Sequence, residues 1–116
     1  MPILELTTNV KVSDPKQFSL DLNTEAAKVL GMGPYVTVSY NYNETVTFAG
    51  THAPAFIMRV TTLGNSTDKN EQFSKALFAH LEAALGTPSD RGYIIFNDPS
   101  HINLGHKGTT FATLFK

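Results

Sequence analysis

The chain has 116 residues, of which 41% are hydrophobic and 16% are charged, and its formal net charge is −1. This length and composition predict one domain, spanning residues 1–116, with a packed core. The near-neutral charge gives no electrostatic basis for binding nucleic acid or an anionic membrane, and the absence of Cys excludes disulfides, thiolate metal sites and cysteine nucleophiles.

The first predicted element is a strand over residues 3–7, directly after Pro2. If Met1 is removed, Pro2 carries a free secondary amine at the start of this strand. The pKa of an α-amine is about 7.7–8.0, and burial in an apolar pocket lowers it toward neutral pH, where a general base is most useful. Pro2 could therefore take a proton from a carbon next to a carbonyl. The alternative is that Pro2 is incidental, and a retained Met1 would make its nitrogen a tertiary amide.

Two helices are predicted from their capping residues and apolar periodicity. Residues 13–15 (Ser-Asp-Pro) begin the first helix, and Gly31 ends it. Asp68 and Glu71 have the spacing of a capping box at the start of the second helix, and Gly86 ends that helix.

Strands are predicted at residues 35–42, 45–48, 55–63 and 93–96, followed by a tail rich in Gly, Asn and Thr. The order strand–helix–strand occurs twice, which predicts an α/β (α+β) fold: two βαβ units in one four-stranded mixed sheet, with both helices on one face. The low charged fraction favours covering the other face with neighbouring subunits. Its apolar candidates are Ile3, Val36, Val38, Ile57, Leu63 and Ile95.

An ordered set of residues along nearly the whole chain resembles the macrophage migration inhibitory factor family of the tautomerase superfamily. The resemblance starts with Pro2 and ends in the tail. Its residues are Pro2, 8–10, Gly31, 48–50, 54–55, 63–64, 90–94, Asp98, 103–105 and 110–112.

This resemblance implies a homotrimeric tautomerase-like fold with a pocket at each subunit interface. It implies an isomerase that interconverts keto and enol forms of phenylpyruvate-like or dopachrome-like compounds, with Pro2 as the base and no cofactor. Tyr93 would be an aromatic wall supplied by the neighbouring subunit. The other pocket positions that it implies are Leu63, Leu104, Phe111 and His106, where relatives usually carry Trp.

Two departures from the family pattern remove polar substrate contacts. Met32 stands where the family has a lysine that binds the substrate carboxylate, and Ile95 stands where animal members have an asparagine. Losing one charge-assisted hydrogen bond costs about 1.5–3 kcal/mol, or roughly one to two decades of affinity or rate. We therefore expect weak turnover of α-keto acids, unless Arg59, Lys28 or Lys107 supplies the missing cation.

The sequence leaves two other functions open. One is a cytokine-like or protein-binding trimer, with a protein receptor as partner and vestigial catalysis. The other is a trimer of the same shape in which Pro2 has no role. The four histidines lack ligand spacing, so no metal site is expected. No N-terminal apolar segment is present, so we expect a cytoplasmic protein, with secretion lacking a signal peptide as the alternative.

Overall fold

The computed structural model describes residues 2–31 and 33–115, so Met1, Met32 and Lys116 lie outside the described part. The main elements, in chain order, are β1 (Ile3–Thr8), α1 (Pro15–Leu30), β2 (Thr37–Tyr42), β3 (Phe56–Thr61), α2 (Thr67–Leu85) and β4 (Gly92–Asn97). The tail adds a short hairpin of β5 (Gly105–His106) and β6 (Thr109–Thr110), then one helical turn, α3 (Phe111–Leu114).

The four long strands form one mixed sheet in the order β2-β1-β3-β4. β1 runs parallel to β2, and β3 runs parallel to β4, so each helix connects two parallel neighbours. The two halves join through the antiparallel pair β1 and β3, in which Ile3 lies opposite Thr61. The predicted mixed sheet with two βαβ units is therefore confirmed.

Both helices pack on the same face of the sheet. The buried core combines alternate residues of the central strands with one stripe from each helix: Leu4, Leu6, Phe56, Met58, Val60, Phe18, Leu22, Ala26, Phe73, Leu77, Leu81 and Leu85. Val36 and Val38 also pack against this core, so their predicted place on the opposite face was wrong. The register explains the error, because Val38 pairs with Leu4, whose side chain points to the helices.

The opposite face of the sheet is uncovered in one chain and carries large apolar side chains. Ile57, Ile95 and Tyr93 are 40%, 42% and 64% exposed. Arg59 and Glu5 lie side by side on the same face, as register partners on β3 and β1.

The ends of the helices follow local capping chemistry. The Asp14 side chain accepts a hydrogen bond from the Gln17 backbone N–H, and Gly31 ends α1 with a φ of 70°. At α2 the predicted cap was wrong, because the Ser66 side chain, and not that of Asp68, accepts from the Lys69 backbone N–H. Asp68 lies in the first turn, where a negative charge interacts favourably with the helix dipole.

The predicted strand at residues 45–48 was also wrong. The structure shows an irregular segment there, with an isolated bridge between Phe48 and Thr51. Asn9 holds this segment: its side-chain amide donates to the carbonyls of Val46, His52 and Ala53. In the described part of the chain, no helix is both long and apolar enough to cross a membrane.

Candidate functional site

Pro2 lies at the start of β1, between β2 and β3, and its side chain is fully buried. Its carbonyl accepts a hydrogen bond of 2.9 Å from the Thr37 backbone N–H, which continues the parallel ladder of β1 and β2. This hydrogen bond fixes the backbone of Pro2 relative to β2, and the proline nitrogen lies just before the start of β1.

A cavity of about 420 Å³ contains Pro2 in its lining, and we call it the Pro2 cavity. This volume is within the range of small-molecule sites. The apolar lining residues are Pro2, Val29, Leu30, Leu63, Phe73, Phe111 and Phe115. The remaining lining residues are Thr62, Gly64, Asn65, Lys69, Gln72 and His101.

A second cavity, of about 330 Å³, lies beside the short hairpin, and we call it the hairpin cavity. Leu104 and His106 line it, together with Tyr35. Phe111 lines both cavities, and its ring centroid is 5.8 Å from that of His106. The structure therefore places Pro2 and Leu63 in one cavity and Leu104 and His106 in the other, with Phe111 shared.

Tyr93 and Ile95 line neither cavity, and both lie on the uncovered face of the sheet. Tyr93 pairs with Ile57, which pairs with Thr7, at the opposite end of β1 from Pro2. With a rise of about 3.3 Å per residue and about 4.8 Å between strands, Tyr93 lies about 16 Å from Pro2 along the strands and about 10 Å across them. A single chain does not bring Tyr93 to the Pro2 cavity.

The cations considered from the sequence are not in the Pro2 cavity. Arg59 lies on the uncovered face, Lys28 is exposed in the last turn of α1, and Lys107 occupies the hairpin turn with a φ of 54°. Met32 lies outside the described residues.

Two residues that the sequence reasoning did not select, Lys69 and His101, line the Pro2 cavity instead. The available signal for Lys69 was its position: it lies in the first turn of the helix that directly follows the Leu63-Gly64 pair.

Asp98 connects two of the loops that form the cavity. Its carboxylate accepts hydrogen bonds from the backbone N–H groups of Gly64, Asn65 and Ser100, at 3.0, 3.2 and 2.9 Å. The Ser100 N–H, followed by those of Asn65 and Gly64, and the nearby His101 lower the pKa of Asp98, because each favours the charged form. Asp98 thereby ties the segment of Leu63 to the segment of His101.

Metal binding is not indicated by the geometry of this region. Within residues 2–31 and 33–115, no group of three or more His, Asp or Glu side chains is arranged to hold a metal ion.

Comparison with known proteins supports one family. The profile described as "Macrophage migration inhibitory factor (MIF)" matches residues 1–112. A macrophage migration inhibitory factor homolog of Trichuris trichiura is 37% identical, and the match covers 96% of this chain and 100% of that protein. The macrophage migration inhibitory factor of Mus musculus is 31% identical, with 97% and 100% covered.

Solved structures agree with the sequence matches. The macrophage migration inhibitory factor of Trichinella spiralis superposes with a TM-score of 0.86 at 33% identity, covering 94% of this chain and 99% of that one. The homologue from Prochlorococcus marinus gives a TM-score of 0.87 at 28% identity, with 94% and 98% covered. The protein described above therefore has a tautomerase-like fold and belongs to the macrophage migration inhibitory factor family.

Proposed function

We propose that this protein is a keto–enol tautomerase of aryl carbonyl compounds such as phenylpyruvate or dopachrome, with Pro2 as the base. The observation that carries this proposal is the buried Pro2 ring in the wall of a cavity of about 420 Å³ that also contains three phenylalanines. Phe73, Phe111 and Phe115 offer apolar surface to an aromatic ring, while Pro2 offers a base.

The proposed reaction needs only a proton transfer. After removal of Met1, the uncharged Pro2 nitrogen takes a proton from the carbon next to the substrate carbonyl. The electrons of that C–H bond form the enol double bond, and the π electrons of the carbonyl move to its oxygen. The protonated Pro2 then gives its proton to that oxygen, which regenerates the base. No net oxidation occurs, so no cofactor is required. The fixed proline ring contributes by holding its lone pair in one orientation.

A homotrimer is part of the proposal, because one chain leaves the site incomplete. Tyr93 and Ile95 are far from Pro2 within the chain, and they lie on an exposed apolar sheet face that a second copy could cover. A neighbouring subunit docked on this face would bring these two side chains toward the cavities of its partner. Leu104 and His106, in the hairpin cavity, would then form the remaining wall.

Replacing the base tests the catalytic proposal. In a phenylpyruvate assay that follows the enol by its ultraviolet absorbance, we expect Pro2→Gly to lower kcat/KM at least about tenfold, because a flexible primary amine replaces the fixed ring. Pro88→Gly, at an exposed proline that lines neither cavity, is the matched control and should keep wild-type activity.

Blocking the amine is a stricter version of the same test. An Ala inserted between Met1 and Pro2 converts the proline nitrogen into an amide, so the general base disappears while the ring remains. We expect kcat/KM for phenylpyruvate to fall by about 10²- to 10⁴-fold. Equal rates for the wild type, Pro2→Gly and the insertion variant would exclude Pro2 as the base.

A further inference from the structure

We propose that Lys69 binds the carboxylate of the substrate in the Pro2 cavity, in place of the cation missing at position 32. The substrates would then be aryl α-keto acids, with the ring among the phenylalanines and the carboxylate at the side where α2 begins. This inference rests on the proposed function for the identity of the substrate.

The position of Lys69 is fixed by the start of α2. Its backbone N–H donates to the Ser66 side chain at 3.2 Å, which sets the first turn of the helix. Its Nζ donates to the Gly64 carbonyl at 3.5 Å, so the side chain lies back over the loop that follows Leu63. An ammonium has three donors, and one long bond to a carbonyl leaves donor capacity for an incoming carboxylate.

The charges of the cavity lining favour an anion. Among the lining residues that the structure describes, Lys69 is the one Lys or Arg, His101 is the one histidine, and Asp and Glu are absent. The nearby Asp98 carboxylate does not line the cavity, and it accepts bonds from the backbone N–H groups of Gly64, Asn65 and Ser100. A carboxylate ligand would therefore meet a cation without a like charge in the cavity wall.

The arrangement of the lining also separates polar from apolar contacts. The amides of Asn65 and Gln72 lie in the same lining as Lys69 and can donate to a second carboxylate oxygen. Leu63, Phe111 and Pro2 supply the apolar part. An aryl α-keto acid carries both kinds of surface, whereas an uncharged aryl ketone offers Lys69 no negative charge.

A binding measurement separates this inference from catalysis. Phenylglyoxylate has an aryl ring, a ketone and a carboxylate, but no C–H next to its carbonyl, so it can bind without being tautomerised. Isothermal titration calorimetry of wild type and Lys69→Met with phenylglyoxylate should show a Kd about tenfold to one-hundredfold higher for the variant. Neutral methyl phenylglyoxylate should bind both proteins within about twofold of each other.

Two variants control for charge and folding. Lys75→Met removes another exposed lysine of α2 that does not line the cavity, and it should leave Kd unchanged. Lys69→Arg keeps a cation and should retain most of the affinity. Equal thermal midpoints for Lys69→Met and the wild type would show that the loss comes from binding.

The outcomes of the two proposals are distinct. Equal phenylglyoxylate affinity in the wild type and Lys69→Met, or no binding by the wild type, overturns the role of Lys69. Charge-dependent binding through Lys69 without any Pro2-dependent turnover supports the anion site and overturns the proposed tautomerase activity.

Discussion

Asp98 shows at the scale of single residues how two loops beside the Pro2 cavity are joined. Its side chain lies outside the core, yet it bonds three backbone N–H groups from two different loops. The Thr62 backbone N–H also donates to the Asn97 carbonyl at 2.9 Å, so the loop of Leu63 and the loop of His101 are joined where they begin and again through Asp98.

We expect Asp98→Asn to lower the denaturant midpoint at neutral pH, because the amide accepts these hydrogen bonds without a full negative charge. The pKa of Asp98 is lowered on folding, so the native state binds fewer protons than the unfolded state. The stability from this group is therefore present above the unfolded pKa and is lost as the pH falls through the folded pKa.

The measurement is a series of denaturant titrations of both proteins between about pH 7 and pH 2. The difference in the free energy of unfolding between the wild type and Asp98→Asn should become smaller as the pH falls below about 4. Glu44→Gln, at an exposed carboxylate in the turn after β2, is the control. A difference that stays constant down to the lowest pH would contradict the role of the Asp98 charge.

At the scale of elements, the joining of β3 and β4 depends on a close contact between Gly92 and Phe56. These residues are register partners, and a Cβ added at Gly92 would overlap the Phe56 ring well inside van der Waals contact. Gly92 has extended backbone, so its requirement here is space and not a positive φ.

We expect Gly92→Ala to destabilise the protein by about 1–3 kcal/mol, because the Phe56 ring must move within a packed core. Gly33→Ala is the matched control, since its Cβ would meet only the Ala27 Cβ, at an ordinary 3.8 Å. Denaturant unfolding of both variants gives the comparison. A Gly92→Ala protein as stable as the control would show that the ring adapts without cost.

The elements that the sequence predicts well are those set by local chemistry. Residues 13–15 and Gly31 mark the bounds of α1 because capping and a left-handed glycine are local requirements. Ser66 was missed because Asp68 and Glu71 offered a competing pattern three residues apart. The segment at 45–48 has the residue pattern of a strand, but it has no partner strand in the part of the chain that the structure describes. The Asn9 side chain, from a distant part of the chain, bonds the Val46 carbonyl instead.

At the scale of the whole molecule, the residues proposed for the site share a cavity where one chain brings them to the same end of the sheet. Pro2, Leu63 and Phe111 meet in one cavity because β1 and β3 lie side by side and α3 packs beside them. The sequence places Lys69 close to the Leu63-Gly64 pair, but the direction of its side chain depends on how the loop after β3 turns into α2. Tyr93 points away from Pro2, so its role depends on a second copy of the chain.

The uncovered sheet face leads to a prediction about assembly. Light scattering with size-exclusion chromatography should give the mass of a trimer for the wild type. The Ile57→Glu variant should have a lower mass, closer to that of the monomer. Burying an unpaired charge in an interface is strongly unfavourable. Leu20→Glu, which is also an exposed apolar residue but lies on α1, should leave the trimer intact. A wild-type monomer, or a trimer that tolerates Ile57→Glu, would contradict this interface.

The intact mass of the protein, in a sample whose tautomerase activity has been measured, tests most directly whether Pro2 is the base. A free Pro2 nitrogen requires that Met1 be absent, so we predict that the active protein has the mass of the chain without Met1. An active sample in which essentially every chain retains Met1 would contradict it, because the nitrogen of Pro2 would then be an amide and could not act as the base.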